Sequence, residues 1–180
     1  MTGTGDGSPA GSASPRAPGL VRAASLFLSA GWFGAVAFFA LAGARIVLRV
    51  SASRHAGGAV NRALLDSLDL LSLVAAFLLL AAALHLGRKS AISSGARALA
   101  VRLSLLAAAA AAASLFVITP EMWQLRGRMP MAIELVPKDD PLRMAWGRLH
   151  GVSTLALLVR VAAAAGLFAA FLPRGGPDAA

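Results

Sequence analysis

The chain contains no cysteine. That excludes disulfides, thiolate metal sites and cysteine nucleophiles, and it leaves the redox compartment unreadable. Charge is scarce as well. Charged residues make up 14% of 180 positions, where a soluble domain carries about 25%. Also missing are a Gly-rich phosphate loop, an HExxH sequence and a recognisable nucleophile motif, together with the enzyme classes that depend on them. No internal repeat is evident. What remains is apolar: 58% of the residues, against about 45–50% in soluble domains. The length suits one domain, but there is too little polar surface to cover a soluble globule of that size. The excess apolar surface must face lipid. The net charge of +9 comes almost entirely from arginines scattered between apolar runs. No basic stripe with interleaved aromatics points to nucleic acid. The cations read as membrane-flanking groups meeting anionic lipid.

Four apolar runs follow a Gly/Ser/Pro-rich start: residues 26–44, 64–86, 99–119 and 152–172. Each approaches the roughly 20 residues needed to cross about 30 Å of hydrocarbon. Backbone groups in lipid must bond internally, so the runs are expected to be helices. Residues 1–21 read as a disordered tail, 22–174 as one transmembrane domain and 175–180 as a short second tail. Arg22 before an apolar stretch and Ala40-Leu41-Ala42 resemble parts of a secretion signal. The run is longer than the roughly 7–15 residues of a signal core, so a retained helix is expected. The connections are expected over Arg45–Asn61, Gly87–Arg97 and Pro120–His150, with Pro120 ending the third helix and Pro173 the fourth. Asp139-Asp140-Pro141 reads as a helix start, so the fourth helix should begin near Pro141 in the interface and run on into the membrane. Trp123 and Trp146 suit that interface. Lys and Arg divide seven against nine between the two faces. The positive-inside rule then puts both termini on the non-cytoplasmic side.

Few residues can carry chemistry. A b-type haem needs two facing axial ligands, but His85 and His150 fall at opposite ends of a four-pass bundle. His55 and His150 share a face and could hold copper or zinc with Glu121, Glu134 or Asp140, although no HxxxH spacing supports it. On the fourth helix Arg143, His150, Ser153 and Arg160 fall within one narrow sector at about 100° per residue, with Trp146 close by. Such a stripe could line a ligand or proton path, or simply pair inward with the second helix. Asp66 and Asp69 lie three residues apart, on one helical face. They could act as acid and base, or serve as cap and counter-charge. Asp69 lies about five residues into its run, roughly 7 Å deep, and Arg160 about eight into its own, roughly 12 Å deep. A buried pair between them is expected, with Asp66 as the alternative partner. The run Ala107–Ala113, flanked by Ser104 and Ser114, reads as a close-packing surface.

Gly31-Trp32-Phe33-Gly34 followed by Phe38-Phe39, Pro120 and Arg126 after the third run, and Leu149-His150-Gly151-Val152-Ser153 at the fourth together resemble the transmembrane protein 205 family. This is a four-helix membrane domain of unknown function common in bacteria. The family often shows Trp-x-Gly in its first helix and an aromatic residue shortly before His-Gly-x-Ser in its fourth. Trp146 takes the aromatic place here. Leu157 stands where an Asn is common, and a proline after the first aromatic pair is absent. The resemblance implies fold and membrane location and supplies no reaction.

The expectation is an all-α, integral-membrane antiparallel bundle of four transmembrane helices, multi-pass in a bacterial inner membrane. Its partners are the lipid bilayer and a second copy of the chain, without nucleic acid. No cofactor is expected. The leading function is non-enzymatic: a polar face formed by Trp146, His150, Ser153 and Arg160, with Asp66 and Asp69 facing it, that supports assembly or binds a partner or small solute. The alternatives are a metal-handling or redox protein using His55 and His150, and a small-solute transporter acting as an oligomer.

Overall fold

The computed structural model describes residues 16–52 and 54–173, without the side chains of Arg16, Arg54 and His55. Residues 1–15 of the expected tail, and 175–180, lie outside the described residues. Residues 16–21, also expected in the tail, form the first turns of a helix. All the regular structure described is helical: α1 (Arg16–Phe38), α2 (Ala44–Val50), α3 (Arg54–Arg88), α4 (Ser94–Ala113), α5 (Thr119–Arg128) and α6 (Pro141–Phe171). A π-helical turn, Phe39–Gly43, joins α1 to α2, and a second, Ser114–Ile118, joins α4 to α5. The result is four rods, Ala17–Val50, Ala56–Arg88, Ser94–Arg128 and Pro141–Phe171, each long and apolar enough to cross a membrane. At 1.5 Å per residue each rod measures roughly 45–55 Å, well beyond the 30 Å of hydrocarbon. Their ends therefore reach into the headgroup layers.

Two expected connections prove shorter. The first shrinks from Arg45–Asn61 to the short stretch between Val50 and Arg54, because α2 carries the chain on to Val50. Arg45 and Arg49 are long enough to reach water from a helical backbone, so charge does not force the helix to end. Asn61 Nδ2 donates to the Ala44 carbonyl at 3.2 Å and ties α3 to the end of the π turn. The third connection shrinks to residues 129–140, since Pro120 lies inside a continuing helix. A proline inside a helix clashes with the carbonyl four residues back. Here it follows a widened turn in which Thr119 N–H bonds to Ser114 O, five residues back, and that offset accommodates the ring. The second connection turns at Ser90, whose φ of 53° is the lone positive value among described non-glycine residues. Ala91 N–H closes it on Leu86 O at 2.9 Å. The start of α6 is capped by Asp140, whose carboxylate accepts from Leu142 N–H at 2.8 Å and Arg143 N–H at 3.1 Å.

The rods pack in a square. α1 packs on α3, α3 on α4, α4 on α6, and α6 returns to α1. α3 and α6 therefore stand at opposite corners. The interior is built largely from small residues: Ala75, Ala76, Ala83, Ala100, Ala107, Ala163 and Ala164, with Trp32, Leu79, Leu86, Leu167 and Phe171 filling it out. Large apolar side chains point outward, among them Phe27, Leu41, Phe77, Phe116 and Leu155. Small residues inside and bulky ones outside suit a bundle solvated by lipid, where close backbone approach supplies the packing energy. At the α4/α6 contact, a Cβ on Gly166 would meet Leu103 Cδ1 at 2.6 Å.

Candidate functional site

Asp69 on α3 and Arg160 on α6 are fully buried. Arg160 Nη1 donates to Asp69 Oδ1, forming an ion pair across the diagonal of the square. Arg160 Nε also reaches the Ala156 carbonyl at 3.3 Å. The two residues lie roughly 22 Å and 28 Å along their helices from the end that bears residues 129–140, close to the middle of each rod. The pair expected from the sequence is thus present. It does not sit along a contact between neighbouring helices; it ties two helices that otherwise barely meet.

Three polar atoms at this centre have no hydrogen-bond partner: Asp69 Oδ2, Arg160 Nη2 and Ser114 Oγ. Ser114 opens the second π turn, and its hydroxyl lies beside the Asp69 carboxylate. One turn along α3, Ser72 accepts from Trp32 Nε1 at 3.0 Å and donates to the Leu68 carbonyl at 2.6 Å. Trp32 is thereby held inside the bundle with its one polar atom paired, as a buried indole requires. The centre draws on α1, α3, the π turn after α4, and α6. Ser72 and Ser114 are the residues that sequence reasoning missed as site members. Ser114 carried a signal only as the polar end of an alanine run.

The polar stripe on α6 divides, which corrects the expectation of one continuous face. Ser153 and Arg160 face inward, whereas His150 is exposed and Trp146 half-buried. The two rings stack with centroids 5.1 Å apart and planes 7° from parallel. Arg143 Nη1 donates to the Val136 carbonyl in the 129–140 connection. The physical reason is breadth: the four residues cover about 100° of helix at 100° per residue, and the closed square admits only the Ser153–Arg160 edge. Asp66 and Asp69 part in the same way. Asp66 stays at the rim, 3.5 Å from Arg62 Nε, and the Arg62 guanidinium sits 4.6 Å above the Trp123 ring. Asp66 is therefore not the partner of Arg160. The inward line of α4 is Ala100, Ser104, Ala107 and Ala111, so the alanine run packs through every third or fourth residue.

The His55 side chain, one half of the expected metal pair with His150, lies outside the described residues. His85 is exposed at the opposite end of the bundle from His150. No group of three or more His, Asp and Glu side chains among the described residues is placed to hold a metal ion.

The fold and its centre define a class: a multi-pass integral membrane protein, built as a four-helix bundle with an ion pair buried across its axis. No protein-family model, curated protein or solved structure matches the chain.

Proposed function

We propose that this chain is a non-enzymatic, multi-pass protein of a bacterial inner membrane that binds a small polar solute at the Asp69–Arg160–Ser114 centre. The observation that carries the reading is the incompletely paired polar cluster there: Asp69 Oδ2 with the Ser114 hydroxyl beside it, and Arg160 Nη2, all on side chains shielded from solvent. Ionisable groups inside a membrane are costly and mark ligand or proton sites more often than chance. π turns recur at functional sites, and one of them supplies Ser114. The likeness to the transmembrane protein 205 family supports the bacterial membrane setting. A thermal-shift panel of small polar solutes (urea, glycerol, formamide), each at millimolar concentration where none acts as a denaturant or osmolyte, on detergent-solubilised protein tests the reading. A solute that binds only the folded form raises the midpoint with concentration, and that rise should vanish in Ser114→Ala. If no solute shifts the wild type, or the shift persists in Ser114→Ala and Asp69→Asn, the reading fails.

A second reading, assembly with another copy, draws on α6 alone. Gly147 and Gly151 are four residues apart, exposed, with open space where a Cβ would stand. That spacing allows close approach of two helices in lipid. Cross-linking in native membranes, repeated with Gly151→Leu, would separate it from the first.

A further inference from the structure

The two ends of the bundle differ in kind. At the end bearing residues 51–52 and 129–140, the described cations Arg45, Arg49, Arg62, Arg126, Arg128, Lys138, Arg143 and Arg148 are interleaved with Asp66, Glu121, Glu134, Asp139 and Asp140. Trp123 and Trp146 also lie there. At the end bearing residues 89–93, the described cations are Arg22, Arg88, Lys89, Arg97 and Arg102, and no described carboxylate lies among them. Among the described residues none of these five takes part in an ion pair.

Their placement concentrates the charge further. A Cβ on Gly87 would collide with Arg97 Cδ, so the Arg97 stem lies flat across the last turn of α3, next to Arg88 and Lys89. Arg22 spends Nε and Nη2 on the Phe171 and Leu172 carbonyls, at 2.7 and 2.6 Å. That caps α6 and fixes the guanidinium at the rim. Arg22 also borders a cleft of about 150 Å³ whose walls include Ile92, Ala96 and Leu172. Gathering like charges on one rim is unfavourable unless an anionic surface meets them. The cleft is more polar than apolar, so it leaves room for an anionic headgroup oxygen beside the fixed Arg22 guanidinium.

We infer that this end of the bundle is a binding surface for anionic phospholipid headgroups, with Arg88, Lys89 and Arg97 as its principal contacts. A basic residue next to an anionic membrane surface is worth a factor of roughly five in binding, and clusters of four to eight mark such surfaces. The five described cations of this rim fall in that range, and Arg88, Lys89, Arg97 and Arg102 among them are exposed.

The test uses the full chain reconstituted in equimolar phosphatidylethanolamine and phosphatidylglycerol, then extracted in mild detergent. The retained lipid is quantified by mass spectrometry. Wild type should retain phosphatidylglycerol several-fold above its bulk share. The triple variant Arg88→Gln/Lys89→Gln/Arg97→Gln should fall to near the bulk ratio. The matched variant at the other end, Arg128→Gln/Lys138→Gln/Arg148→Gln, should keep the enrichment. All six positions are exposed, and an unchanged thermal midpoint confirms that each variant is folded. Should a triple variant fail to fold, Arg97→Gln and Arg148→Gln alone make the same comparison. Equal losses at both ends, or a bulk ratio in wild type, would overturn the inference. So would displacement of the lipid by inorganic phosphate at an ionic strength where chloride displaces none, because the site would then belong to a free anion.

Discussion

Asp69→Asn and Arg160→Gln form a double-mutant cycle on the ion pair that crosses the bundle. Both side chains are 0% exposed, and each is the other's nearest counter-charge. Removing one partner leaves the other charged in a low-dielectric interior. Breaking a buried pair in this way costs about 3–5 kcal/mol, and insertion scales put a lone central charge at about 2.5–3.5 kcal/mol. The pair is drawn by Nη1 and Oδ1 alone, with Nη2 and Oδ2 unpaired, so the lower part of that range applies. Each single variant should lose about 3 kcal/mol. The double variant carries two neutral amides that can bond to each other, and it should lose about 3–4 kcal/mol where simple addition gives about 6. The coupling is then about 2–3 kcal/mol, at the upper end for residues in contact.

Unfolding by sodium dodecyl sulfate in mixed micelles, followed by far-ultraviolet circular dichroism, measures all four corners of the cycle. A replicate by thermal unfolding in a mild detergent guards against effects of the denaturing surfactant. Additive losses would show that Asp69 and Arg160 do not sense each other. A loss below about 0.5 kcal/mol for Asp69→Asn, the range of an ordinary surface change, would show that the arginine finds water without its partner. Either result refutes the reasoning.

Reporter fusions at Ala180 and Lys89 should report the same face of the membrane, the non-cytoplasmic one; opposite faces would remove the four-pass topology, and a shared cytoplasmic face would reverse the orientation. The purified protein should show no Soret band, since His85 and His150 sit at opposite ends of the rods; a band that survives purification and disappears in His150→Ala would contradict this. Ser90→Gly should stabilise the protein by about 0.5–1 kcal/mol, because Ser90 holds a left-handed backbone that glycine adopts without steric cost. A destabilising Ser90→Gly would mean that its hydroxyl contributes more than the strain it carries.

How much of this was legible depends on whether the signal was local. Four helices were, because a run of apolar residues long enough to cross hydrocarbon is written consecutively along the chain. The Asp69–Arg160 pair was legible for a different reason. Charge is so expensive at that depth that Arg160 needs an opposite charge, and the second helix, entering from the same face, offered Asp69 near its level with Asp66 one turn nearer the surface. That the pair would cross the diagonal was not, since helix order around the square appears nowhere in the apolar pattern. Nor was the division of the α6 stripe. Spacing suggests one narrow sector for Arg143, His150, Ser153 and Arg160, but they spread over about 100°, and only the neighbours decide where the interior ends. Ser114 went unrecognised because a serine beside seven alanines reads as packing. Its role depends on where α3 brings Asp69.

The most deeply hidden feature is the second π turn. The inward residues of α4 run Ala100, Ser104, Ala107, Ala111, Ser114 and then Ile118, a spacing that looks unbroken. A π turn amounts to one extra residue in the helix, which rotates everything after it by about 100° relative to an uninterrupted register. Trp123 lies five residues beyond that turn, under the Arg62 guanidinium. In a straight helix the indole would point about a quarter-turn away, and Arg62 would lose its ring. Pro120 belongs to the same device. It is tolerated because the widened turn displaces the carbonyl it would strike, and in return it lacks the N–H that would draw the helix back to α geometry. The proline read from sequence as the end of a helix is therefore part of what lets the helix continue with its register turned. The turn thus lets Ser114 keep the inward line of α4 at the buried ion pair while Trp123, beyond it, swings to the rim.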